Sequence, residues 1–244
     1  MIGLQAAGWG AIAASSLVIG AWIALTRPVE KRTLGLVMAF GSGVLLSSVA
    51  FELVEEANDL AGQLPMALGL ALGAITFFLG DRAIDGMGAA GMGSVGGPAS
   101  PGSGLAIVLG AALDGVPESI VLGLSFAGGE GIGIAFLVAV FVSNIPEGVA
   151  GTAGLLATGW SRSRILRLWL VVVMASAIAA LLGGSVLADV GGIMHGVILA
   201  FAGGAILTML TDTLIPEAYE NAGRSAGLLA TLGFGVAFVL SLLD

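Results

Sequence analysis

The chain has 244 residues, 57% of them hydrophobic and only 10% charged, and its mean hydropathy is +1.08. Soluble domains carry about 25% charged residues, so this composition excludes an ordinary soluble fold and calls for lipid as part of the solvent. The chain has no Cys, which removes disulfides, thiolate metal sites and cysteine catalysis, and its net charge of −8 with no polybasic stretch argues against nucleic acid and anionic-lipid partners.

A membrane helix needs roughly 20 mostly apolar residues. Eight such runs are predicted, at about 5–26, 33–55, 65–83, 104–126, 131–157, 165–188, 193–216 and 225–243. The first has no basic residues before it and three after it (Arg27, Lys31, Arg32), so it reads as a span rather than a cleaved signal. The second carries Glu52 near its end, followed by Glu55, Glu56 and Asp59. These acids are expected to form an anionic outer mouth, with Glu52 the best placed to act. After the third comes 84–103, rich in Gly, Ser and Pro, which reads as a flexible cytoplasmic loop; its Met87 and Met92 are taken as loop residues. The seventh run begins near His195, the only histidine, read as structural. It contains Asp212 and has Glu217 near its inner end, a candidate exit route.

The eight basic residues, Arg27, Lys31, Arg32, Arg82, Arg162, Arg164, Arg167 and Arg224, flank the ends of spans one, three, five and seven. With eight spans those ends share one side. By the positive-inside rule that side is the cytoplasm, which puts both termini outside a multi-pass protein of the cell membrane.

Spans two and seven resemble each other. Gly43–Ala57 aligns without gaps on Gly204–Ala218, matching Leu46 to Leu207, Ser47 to Thr208, Leu53 to Leu214, Glu56 to Glu217 and Ala57 to Ala218. Under the predicted topology the two spans run in opposite directions. The expected fold is therefore an all-α integral membrane protein of eight transmembrane helices, a single domain over 1–244. Spans one to three and six to eight form an inverted repeat around the central pair four and five. Transporters built this way hold substrate near the midplane at the repeat interface.

The central pair carries the chemistry. Span four reads Leu113-Asp-Gly-Val-Pro-Glu-Ser119 and span five Val142-Ser-Asn-Ile-Pro-Glu-Gly148. Asp114 and Glu118 are four apart and share a helix face, and Ser143 and Glu147 repeat that spacing. A charge at mid-membrane costs about 2.5–3.5 kcal/mol even on the most lenient scale. Three acids with no Lys or Arg beside them in sequence are poorly explained as helix glue; a divalent cation would offset both desolvation and repulsion. Each proline deletes a ladder hydrogen bond and frees a carbonyl, near Leu113 and near Val142.

These motifs resemble the ZIP (Zrt/Irt-like) family of metal transporters over nearly the whole chain. The most specific parts are Pro117-Glu118, Asn144-Ile-Pro-Glu-Gly148 and Leu214-Ile-Pro-Glu-Ala218. The resemblance implies eight spans with both termini outside, and a binuclear-type metal centre whose positions here are Asp114, Gly115, Glu118, Ser143, Asn144 and Glu147. The chain departs from the family pattern at that centre. The family usually has His where Asp114 stands, Asn at Gly115, often His at Ser143, and in many members His-Glu at Asp212-Thr213. The His-rich inner loop is absent, and span six has no acid before Asp189. A single site built on Asp114, Glu118, Ser143 and Glu147, with Asn144 as a fifth ligand, is the preferred reading.

Losing nitrogen ligands for oxygen favours harder ions, so the transported ion is expected to be Zn²⁺, Fe²⁺ or Mn²⁺ with a shift towards the harder end. No cofactor is expected and no ATP-binding motif is present, so transport would be gradient-driven. The other readings are a membrane sensor that holds metal without moving it, and an intramembrane protease. One His excludes HExxH chemistry, so no enzyme is expected. The partners are then the divalent metal ion and the lipid bilayer, and Gly-rich faces together with the family suit a homodimer.

Overall fold

The computed structural model describes residues 2–84, 103–127, 134–187 and 190–242, with backbone only at 103–108 and 126–127. The linker between spans three and four, with Met87 and Met92, lies outside the described residues, as does Asp189. The described residues fold into α-helices and π-helical turns. In chain order the helices are α1 (Ile2–Thr26), α2 (Lys31–Ser48), α3 (Glu55–Ala61), α4 (Gln63–Ile84), α5 (Ser103–Ala127), α6 (Ile134–Ala157), α7 (Arg162–Leu182), α8 (Gly192–Met209), α9 (Ile215–Ala222) and α10 (Ser225–Ser241). Among the described residues six helical stretches are long and apolar enough to cross a membrane: Ile2–Thr26, Lys31–Ala61, Gln63–Ile84, Ile134–Ala157, Arg162–Leu187 and Gly192–Ala222. To these are added α5, of 25 residues, and α10, an apolar helix of 17. The protein is thus an all-α, multi-pass membrane protein.

Two stretches run further than hydropathy suggests. The predicted ends near 55 and 216 fall where charges begin, yet helix continues to Ala61 and Ala222. In both cases a π-helical turn intervenes, Val49–Val54 after α2 and Leu210–Leu214 after α8. These turns start at residues that the Gly43–Ala57 and Gly204–Ala218 alignment pairs. Through these turns and past them, Val49, Leu53 and Ala57 are buried on one helix and Leu210, Leu214 and Ala218 on the other. That apolar stripe keeps the polar segments helical and packed. Each then ends on a glycine of positive φ, Gly62 at 79° and Gly223 at 61°, whose N–H donates back to Asn58 and Tyr219 respectively at 2.8 Å. Only glycine takes that backbone conformation without strain.

Glycine also decides how the helices associate. Lipid tails are as apolar as Leu, so membrane helices associate by close van der Waals packing rather than by hiding oil from water. Here that packing sorts the helices into two groups. In one, α1 packs on α6 and α7, and α5 on α7. A Cβ on Gly20 would overlap the Ile145 carbonyl, and one on Gly148 the Leu17 carbonyl; Gly123 and Gly183 stand the same way against Ala180 and Ile120. In the other group, α2 packs on α10 and α9, and α8 on α4 and α3. There Gly43 lies against Ala230, Gly204 against Leu70, Gly73 against Phe201 and Gly233 against Phe40. The contacts come in reciprocal pairs. The first group is further pinned by the buried Trp169, whose indole N–H donates to the buried Thr152 hydroxyl at 2.8 Å, joining α7 to α6. The groups meet where α2 crosses α6 and α5 crosses α8, with α4 beside α5 and α10 beside α6. The carboxylates lie along this seam.

Candidate metal site

Helices α5 and α6 pass through Pro117 and Pro146 without breaking. The proline nitrogens carry no hydrogen, so the carbonyls of Leu113 and Val142 lose their usual i+4 donors. Asp114 is half-buried and Glu118 is 1% exposed, one helical turn apart on α5. On α6, Ser143 is 0% exposed, Asn144 is buried and Glu147 is half-buried. The Ser143 hydroxyl donates to the Val140 carbonyl at 3.1 Å, which leaves its oxygen free to accept or to ligate. Helix α2 presses on this point: a Cβ at Gly41 would sit 3.2 Å from Ser143 Cα. Opposite Gly115 stands the buried Ser176 of α7, its hydroxyl 3.5 Å from where a Gly115 Cβ would be.

The electrostatics are one-signed. Glu147 feels the charges of Asp114, Glu118 and Glu217; Glu118 feels Asp114; and Asp114 feels Asp81. The fold thus collects five carboxylates from α4, α5, α6 and α9 along the seam. Every Lys and Arg is exposed, so no cation of the protein is buried among them. Both oxygens of Glu118 are shielded from solvent and have no hydrogen-bond partner. Among the described residues no three His, Asp or Glu side chains converge tightly enough to hold a metal ion by themselves. A cation here would draw on Ser143, Asn144 or a freed carbonyl as well, or pull the carboxylates inward.

The sequence candidates separate into two sets. Asp114, Glu118, Ser143, Asn144 and Glu147 come together on the α5–α6 pair, and Glu217, buried on α9, joins them through Glu147. Asp212 is exposed on the π-helical turn Leu210–Leu214, outside the buried set. Glu52 is half-buried on the other π-helical turn, with Glu55, Glu56 and Asp59 exposed beyond it. His195 is half-buried at the start of α8. Sequence reasoning missed Asp81. Its signal was present: an acid directly before Arg82 in the last turn of an apolar helix, which charge counting treated as the edge of a span.

No protein-family model matches the chain. Among characterised proteins it is 34% identical to the mouse zinc transporter SLC39A7 over 131 residues, 50% of this chain and 28% of that protein. The human zinc transporter SLC39A7 is 32% identical over 122 residues, 48% of this chain and 26% of the relative. Over about half of its length the chain is thus similar to proteins named as zinc transporters. A putative zinc transporter of Arabidopsis thaliana, At3g08650, extends the likeness to 81% of this chain at 25% identity, again over only 32% of the relative. The chain therefore spans under a third of the length of these relatives. The α5–α6 motifs lie on the helix pair that the ZIP resemblance points to, where Asp114, Gly115 and Ser143 depart from the family pattern.

Proposed function

We propose that this chain carries divalent metal cations across the cell membrane towards the cytoplasm, driven by gradients, through a site formed by Asp114, Glu118, Ser143 and Glu147 with Asn144 as a further ligand. The observation that carries the reading is Glu118. It is a buried carboxylate with neither oxygen partnered, facing other carboxylates and no buried cation. A group like that is costly to keep unless something positive visits it. Zinc transporters among the relatives supply the substrate class, and the all-oxygen donor set widens it to Zn²⁺, Fe²⁺ or Mn²⁺.

In this reading the helices make eight spans, α2 with α3 and α8 with α9 each forming one. All eight basic residues are exposed and flank the same alternate ends, which supports a cytoplasmic face there and both termini outside. The inverted repeat is supported by the aligned π-helical turns, the aligned caps Gly62 and Gly223, and the reciprocal glycine contacts. The glycine packing joins helices of the two repeats to each other: α1 with α7, α2 with α10 and α4 with α8. The bodies that shift to alternate access are therefore the two groups, not the two repeats. Glu52 serves the outer mouth, and Asp212 and Glu217 the inner path.

Metal uptake into proteoliposomes tests this. Zn²⁺ and Mn²⁺ accumulation is expected in liposomes with the protein and its near-complete loss in Glu118→Ala and Glu147→Ala. A protein that binds metal but gives no uptake is the sensor instead. Orientation is read by single cysteines in this Cys-free chain: residues 158–161, between α6 and α7, react only from the cytoplasmic side, and labelling from outside would sink the topology.

A further inference from the structure

Asp81 sits in the last turn of α4, which ends at Ile84. A carboxylate there stands against the helix dipole, whose carbonyl end is negative. It is half-buried rather than turned wholly to solvent, while the neighbouring Arg82 is exposed. The packing fixes where Asp81 lies. A Cβ at Gly80 would be 3.1 Å from a Leu113 methyl, so the end of α4 abuts α5 one residue before Asp114. Asp81 and Asp114 are close enough to repel each other. They belong to different helix groups, α4 to one and α5 to the other, as do Glu217 and Glu147. Like charges placed twice across one seam suit a cation that bridges the groups. One turn along α5 from Asp114 is Glu118, whose two buried oxygens have no partner. Along α5, Asp114 lies one turn nearer the helix start than Glu118, and the Gly80–Leu113 contact sets Asp81 beside Asp114, directly before Arg82. The series Glu118, Asp114, Asp81 therefore runs towards the end of α4 that bears Arg82.

We propose that Asp81 is a release-side ligand that, with Asp114, takes a divalent cation from the α5–α6 site and passes it towards the face that carries the Lys and Arg residues. This rests on the transport reading above. Asp81 adds to that reading a ligand from outside the central helix pair, and gives the cation itself a role in holding the two groups together while it leaves.

The test uses the full chain in proteoliposomes with Mn²⁺ as the probe, comparing Asp81→Asn, Asp81→Glu and wild type. Asp81→Asn is expected to lower maximal uptake about tenfold, the scale on which groups beside metal ligands act. The half-saturating external Mn²⁺ concentration stays within about twofold, because capture from outside is untouched. Asp81→Glu restores most of the rate, which a merely structural loss would not allow. Wild-type uptake in Asp81→Asn overturns the proposal, and so does a rise in the half-saturating concentration that accounts for the whole loss. If the wild-type chain gives no uptake, the transport reading fails instead. The pairing is then read directly in the Cys-free background: Asp81→Cys with Asp114→Cys is expected to bind Cd²⁺ at least about tenfold more tightly than either single variant, since thiolates select soft cations. No gain overturns the pairing.

Discussion

Replacing Glu118 by Met separates a metal site from a structural carboxylate by the sign of its effect. Glu118 is 1% exposed, both its oxygens lack partners, and it faces Asp114 and Glu147. Met has nearly the same length and asks for no hydrogen bond. An unsatisfied buried polar group costs about 1–3 kcal/mol, so Glu118→Met is expected to stabilise the metal-free protein by that order. Relief of repulsion adds to it. For a chain of this size a kcal/mol moves the midpoint of a soluble protein by about 2–4 °C, so a rise of several degrees in detergent with chelator is the expected reading. Added metal reverses the order. At a hundred times its dissociation constant a ligand stabilises by about 2.7 kcal/mol; wild type gains this and the Met variant does not. Thermal unfolding of both proteins with chelator, Zn²⁺ and Mn²⁺ gives all the numbers. If Glu118→Met is less stable than wild type under chelator, or keeps the metal-induced shift, then Glu118 is held by the protein and the reasoning fails.

Asp114→His restores a nitrogen ligand at the point where the ZIP resemblance is broken. Competition uptake is expected to move the preference for Zn²⁺ over Mn²⁺ by about tenfold, following ligand softness; an unchanged preference would show that Asp114 does not set selectivity. Gly204→Ala drives a methyl into the Leu70 carbonyl between α8 and α4. A loss of about 1–3 kcal/mol is expected from overpacking, seen as a lower unfolding midpoint, while Gly235→Ala, which meets nothing within 4 Å, serves as the unaffected control. Equal midpoints for the two variants would contradict the close approach.

The helical, multi-pass character of the chain was legible because hydropathy is local: lipid demands long apolar runs whatever their neighbours do. The Asp114–Glu118 and Ser143–Glu147 spacings were legible for the same reason, since a helix turn fixes which residues share a face. Span ends were less so. Charges at Glu55 and Glu217 read as exits from the membrane, whereas buried Ala57 and Ala218 carry the helices on past them. What only the tertiary structure decided is pairing between distant helices. Glu217 and Asp81 reach the seam because α9 packs on α2 and α4 beside α5, contacts set by which glycines let backbones touch. No local pattern records which backbone a glycine will meet. The sequence by itself therefore determined the solvent, the helices and the central carboxylates. The assembly of those carboxylates with Glu217 and Asp81 was decided by packing, because in lipid it is shape rather than hydrophobicity that chooses a helix's neighbour.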